Sequence, residues 1–70
     1  MKRRDLLARI QVAARDRGRR WDLTRQGAAH ELWSLDGHMV TIPRHREINE
    51  STARSIMREL ETELGEGWWR

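Results

Sequence analysis

His30-Glu31-Leu32-Trp33-Ser34-Leu35-Asp36-Gly37-His38-Met39-Val40-Thr41-Ile42 is the stretch that decides the fold. Asp-Gly suits a two-residue type I′ turn, whose central residues both take positive φ and whose twist matches that of the flanking strands. The arms on either side, His30 to Leu35 and His38 to Ile42, carry strand-forming residues and are expected to be antiparallel neighbours. Pro43 lacks a backbone donor and closes the second arm. Upstream, Gln26-Gly27-Ala28-Ala29 turns the chain, with Gly27 free to take positive φ. Before it, Trp21-Asp22-Leu23-Thr24-Arg25 alternates apolar with polar residues, as a half-buried strand does. Alternation along the middle strand places Glu31 and Trp33 opposite His30, with Trp33 and Leu35 inward and Leu32 beside His30 on the outer face.

Working outward, Leu6, Leu7, Ile10, Ala13 and Ala14 recur at helical spacing, and Gly18 is placed to end the run. This predicts a helix from about Arg3 to Arg17. After the third strand, Arg44-His45-Arg46-Glu47 has no apolar periodicity and reads as an exposed basic loop. Asn49 is a good N-cap, Ile48 can staple onto Ala53, and Ala53, Ile56, Met57, Leu60 and Leu64 trace one stripe. A second helix from about Glu50 to Leu64 follows, capped by Gly65. The expected architecture is α+β: helix, strand, strand, strand, helix, with both helices on one face of a three-stranded antiparallel sheet. Residues 1–65 form the domain and 66–70 a short tail holding Trp68 and Trp69.

Seventy residues make one small domain with no room for a second. Without cysteine there are no disulfides and no thiolate metal sites, which fits an intracellular, cytoplasmic location. Hydrophobic residues at 37% against charged residues at 36% give a thin core under a heavily charged surface, patterned well enough to fold. Met1-Lys2-Arg3-Arg4 looks like the start of a signal peptide, but Asp5, Arg9, Arg15 and Asp16 interrupt any apolar run behind it, so no secretion or membrane segment is expected. Residues 1–46 carry 11 basic against 5 acidic side chains, and residues 47–70 carry 3 against 6. The chain is basic first and acidic last. Its only lysine is Lys2, so the cations are guanidinium forks suited to phosphate, with biased genome composition as the alternative reading.

The groups able to do chemistry are His30, His38, His45 and the carboxylates. Histidine takes and gives protons near neutral pH. His30 opens the second strand and His45 follows the third, so hairpin pairing places both at the end of the sheet away from Asp36-Gly37. Cutting RNA without a metal or cofactor needs a base for the ribose 2′-hydroxyl, an acid for the leaving oxygen and cations facing the phosphorane. His30 and His45, ringed by Arg25, Arg44 and Arg46, fit those needs, and Lys2, Arg3 and Arg4 extend the phosphate-binding set. The plainer alternatives are a surface or half-buried histidine, a solvated arginine face and tryptophans packed on their own domain. His38, beside a turn, reads as surface. The spacing of the three histidines does not indicate a metal site. Residues alone therefore define a basic module that fits nucleic acid.

Gly27-Ala28-Ala29-His30-Glu31-Leu32-Trp33, then Asp36-Gly37 and Val40-Thr41-Ile42-Pro43-Arg44-His45-Arg46-Glu47-Ile48, resemble the HicA family of bacterial toxins. Met1 to Leu7 and Thr52-Ala53-Arg54-Ser55-Ile56 are similar to the same family, so the likeness spans roughly residues 1–60. The resemblance implies a fold like double-stranded-RNA-binding domains and activity as an mRNA endonuclease. It also implies that His30 is the histidine needed for toxicity, and that a HicB antitoxin neutralises the toxin by covering that site. His45 matches a second motif histidine, carried over as an RNA contact or assisting proton donor. Trp68 and Trp69 lie outside the match and are candidate anchors for the antitoxin if they are not packed on the core. Ala29 stands where the family commonly has Ser, Lys or Asn, so either the activity is weaker or Arg25 or Gln26 supplies the polar neighbour for His30.

Overall fold

Asp36 and Gly37 take positive φ, 50° and 90°, as a type I′ turn requires. Asp36 also pins the start of the first strand. Its carboxylate accepts from the Arg20 N–H at 3.0 Å and from Arg19 Nη1 at 3.2 Å. The bonds from the Arg20 backbone and the Arg19 side chain hold its carboxyl below the ordinary value. A computed structural model describes all 70 residues. The elements are α1 (Arg3–Asp16), β1 (Trp21–Gln26), β2 (His30–Leu35), β3 (His38–Pro43), α2 (Glu50–Glu59) and α3 (Glu61–Leu64).

The strands lie in the order β1-β2-β3, both pairs antiparallel. Leu35, Val40 and Ile42 of the inner face meet Leu6 and Ile10 of α1 and Ala53, Ile56 and Met57 of α2 in one core, so the helices cover one face of the sheet. The expected alternation holds on β2. His30 is exposed, Glu31 and Leu35 are buried, and Trp33 packs on the core side. Trp33 stacks on Trp21 with ring centroids 4.8 Å apart, a diagonal cross-strand pair on the inner face.

β1 departs from simple alternation. Leu23 pairs with Trp33, but Arg25 pairs with Leu32, so Thr24 is an extra residue in the ladder. Such a bulge flips the parity of everything after it. Without it Arg25 would share the inner face with Trp21 and Leu23; with it Arg25 turns outward and Gln26 inward. Leu23, expected to be half-buried, is 43% exposed, because β1 is an edge strand and of its residues only Trp21 is buried. Pro43 is the last residue of β3, opposite His30, rather than the residue after it. The missing N–H is tolerated because β3 is an edge strand.

α1 stops as its sequence indicates. The Arg19 and Gly18 N–H groups donate to Ala14 and Arg15 carbonyls at 2.8 and 3.1 Å, a Schellman closure around Gly18 at φ 66°. Asn49 caps α2 through Oδ1, accepting from the Thr52 N–H at 2.8 Å. The single helix expected from Glu50 to Leu64 is instead broken at Leu60, where ψ relaxes to 0° before α3 begins. With the break, Leu60 and Leu64 are both buried, and Glu63 comes within 2.9 Å of His38 Nδ1. The tail packs back on the domain. Trp68 Nε1 donates to the Met57 carbonyl at 2.7 Å, and the Gly67 N–H donates to Glu61 at 2.8 Å. No helix is long and apolar enough to cross a membrane.

Candidate nucleic-acid interface

The Gly27-Ala28-Ala29 connector is closed by the Gly27 N–H donating to the His30 carbonyl at 2.8 Å. Gly27 is not one of the positive-φ glycines, contrary to the sequence expectation. Glycine is demanded by space: a Cβ there would lie 2.9 Å from the His30 carbonyl oxygen. The β3–α2 loop grips this connector. The Arg44 N–H donates to the Ala29 carbonyl at 3.0 Å and Arg44 Nη1 to the Gly27 carbonyl at 2.7 Å. His30 thus stands at the end of a hairpin held from two sides.

A shallow depression of about 220 Å³ lies at His30 and is lined by Arg25, the 27–29 connector, Glu31, Leu32 and Thr41, the Glu31 carboxylate itself being engaged with Arg3, Gln26 and Trp33. Arg25 reaches it only because of the Thr24 bulge. Gln26, the other residue considered as a polar neighbour for His30, faces inward and donates to Glu31 Oε2 at 3.1 Å. Of the two, only Arg25 lines the His30 depression. Glu31 points to the opposite side of the sheet, so this adjacent carboxylate does not orient the His30 ring.

A second, larger cleft of about 670 Å³ is lined entirely by Lys2, Arg3, Arg4, Arg44 and Arg46. These are five of the six cations singled out as phosphate contacts, and the sixth, Arg25, lines the His30 depression. Short pairing between the chain start and the β3–α2 loop assembles the cleft: the Arg3 N–H donates to the Arg46 carbonyl at 2.9 Å and the Ile48 N–H to the Met1 carbonyl at 2.8 Å. Arg44 belongs to the cleft wall and, through Gly27 and Ala29, to the His30 hairpin. His45 is exposed on the loop between them but lines neither hollow.

Two of the five cations are held by hydrogen bonds to the rest of the fold, and Arg4 makes only an exposed ion pair with Asp5 at 3.7 Å. Arg3 donates from Nε to the Pro43 carbonyl at 2.8 Å and pairs through Nη2 with Glu31. Arg44 holds the connector as described. Glu31, only 6% exposed, is the one buried charged residue, and sequence reading gave it no functional role. Burial pushes its carboxyl up, but hydrogen bonds from Gln26 and Trp33 and the charge and hydrogen bond of Arg3 outweigh this and hold it below the ordinary value. The available signal was an acid at an inward strand position, which must find donors.

His38 is not plain surface. It is half-buried, with Nε2 3.1 Å from Glu59 and Nδ1 2.9 Å from Glu63, and so ties β3 to the helices. No group of three or more His or carboxylate side chains is arranged to hold a metal ion. Trp68 and Trp69 pack edge to face, 5.9 Å apart, against the core. Comparison with protein-family models, curated proteins and solved structures gives no match.

Proposed function

We propose that this chain is a HicA-like toxin of a bacterial toxin–antitoxin system, a cytoplasmic mRNA endoribonuclease that needs no metal or cofactor, on a fold similar to double-stranded-RNA-binding domains. The observation that carries the reading is the adjacency of two hollows: His30 with Arg25 on the open sheet face, joined through Arg44 to a cleft walled only by cations. The cleft holds backbone phosphates of the mRNA and the depression receives the nucleotide to be cut. His30 acts as general base or acid in the in-line attack of the 2′-hydroxyl on its own phosphate. Arg25 faces the charge that gathers on the phosphorane. His45 assists by proton donation or by contact with the RNA. A HicB-like antitoxin silences the site by covering His30 and the Pro43 to Arg46 loop.

The test is cleavage of RNA by the purified protein in excess chelator, with the product ends identified. Cutting should persist and leave 2′,3′-cyclic phosphate or 3′-phosphate ends. His30→Ala should abolish it with the fold intact, and His45→Ala should reduce it. Products with 3′-hydroxyl ends, or a His30→Ala protein cutting at the original rate, would overturn the mechanism. Glu31 facing away and Ala29 lacking a polar group favour one second reading, a non-catalytic module that grips RNA by shape and phosphate contacts. It requires RNA binding by wild type and His30→Ala alike, with no cleavage by either.

A further inference from the structure

We infer that the groove between α1 and the C-terminal tail docks an acidic amphipathic segment of another protein. The groove holds about 540 Å³, within the range of sites that accept several side chains. Its floor is Ala8, Val12 and Ala13, and its wall is Trp68 and Trp69. Val12 is 46% exposed, the most exposed large hydrophobic residue of the chain, and it sits beside two indoles rather than alone. The apolar surface is small, and what sets it apart is Val12 lying between two indoles and flanking arginines.

The wall is held in place by contacts within the chain. Trp68 is fixed by its bond to Met57, and Trp69 is fixed edge to face on Trp68. Preorganised aromatics of this kind are the usual energetic centres of protein interfaces.

Charge names the partner. Arg9 and Arg17 stand on the groove with Asp16, and the Arg70 guanidinium lies 5.5 Å from the centre of the Trp69 ring. Arg9 and Arg17 on the groove, the latter also donating to the Ala13 carbonyl at 3.2 Å, together with Arg70 just beyond its lining, outweigh the Asp16 carboxylate and favour an acidic segment. The two indoles could stack bases, but they meet edge to face above an aliphatic floor and the Trp68 N–H is already used, so RNA is the poorer occupant. A second copy of the chain fits badly as well. Its other exposed large apolar residues, Leu23 and Met39, lie on the sheet and not on an acidic helix.

Position separates this surface from the RNA site. Every groove residue belongs to α1, its C-terminal cap or the tail, in the helix layer, whereas His30 stands on the open face of the sheet. A partner seated in the groove leaves His30 uncovered, and the inference holds whether or not the chain cuts RNA.

The test uses the full chain and a Trp-free helical peptide of about 15 residues, with leucines at helical spacing and glutamates elsewhere. Calorimetry and amide chemical shifts should show micromolar binding centred on α1 and the tail. Val12→Glu, at an exposed position and therefore folded, should weaken it at least about tenfold. A peptide with lysines in place of glutamates should fail on wild type and recover on Arg9→Glu/Arg70→Glu. Absence of binding, unchanged affinity in Val12→Glu, or loss of binding in Lys2→Ala/Arg4→Ala/Arg46→Ala instead would overturn the proposal. The last result would place the acidic peptide in the cation cleft.

Discussion

Arg3 at the start of α1 closes on the buried carboxylate of Glu31 in β2, and the same guanidinium donates to Pro43 at the end of β3. One side chain therefore joins the helix layer, the middle strand and the loop that walls the cation cleft. Arg3 is thus a structural clamp as well as part of the cation cleft's wall.

Removing Glu31 should be among the most damaging single changes. Glu31→Ala leaves Arg3 without its counter-charge and the Trp33 and Gln26 donors without an acceptor, a loss of about 3 kcal/mol. Because folding lowers the Glu31 pKa from 4.5, its contribution is complete above the unfolded value and lost as pH falls through the folded one. The Tm gap between wild type and Glu31→Gln should narrow on acidification below 4.5. Asp36, also lowered, is common to both proteins and cancels.

Gly27→Ala tests the hairpin that carries His30. The added methyl would sit 2.9 Å from a backbone oxygen that cannot rotate away, so the connector must shift. A stability loss of about 1 to 3 kcal/mol is expected, with a larger proportional loss of RNA cleavage. Thermal melts and single-turnover rates measure the two separately.

Lys2, Arg4 and Arg46 are the cleft cations whose side chains make no hydrogen bond that holds the fold, so their removal isolates binding from stability. The triple alanine variant should melt as wild type does. Its plot of log affinity for single-stranded RNA against log salt should be shallower by about 2. Arg54→Ala/Arg58→Ala, on the solvent face of α2, should leave the slope unchanged; the reverse ranking would mean that the binding face is misassigned.

Trp68 should matter to stability in two separable parts. Trp68→Phe keeps most of the packing and removes the donor to Met57, costing about 1 kcal/mol. Trp68→Ala should cost about 3 kcal/mol. Equal melting temperatures for Trp68→Ala and wild type would show that the tail does not hold the fold.

Local signals in the sequence were read correctly because each acts over a few residues. Asp36-Gly37 set the hairpin, Gly18 ended α1, Asn49 capped α2, and the alternation of β2 put His30 outside and Trp33 inside. Properties that depend on a neighbour were not legible. Nothing within β1 shows that Thr24 is a bulge; its partner strand imposes that, and with it the outward turn of Arg25. The need for Gly27 comes from the crowding His30 carbonyl across the connector and not from a positive φ, and no pattern within the connector's own sequence shows it. The break at Leu60 interrupts an apolar stripe that is continuous in sequence. For the cation cleft, the basic residues and the two chain regions are visible in the sequence, but the division of those cations into clamps and unengaged side chains is not. That division depends on Glu31 and on the Gly27 carbonyl, which lie far from Arg3 and Arg44 along the chain.

Both outer strands of the sheet carry a fault in the ladder: an extra residue at Thr24 in β1 and a missing donor at Pro43 in β3. Each keeps a stray strand from laying itself along the margin and extending the sheet from molecule to molecule. The charges of Asp22 and Arg25 flank the first fault, and Arg44 follows the second. The irregularity that turns Arg25 outward beside His30 therefore also interrupts the run of free backbone groups that an edge strand offers to a passing chain.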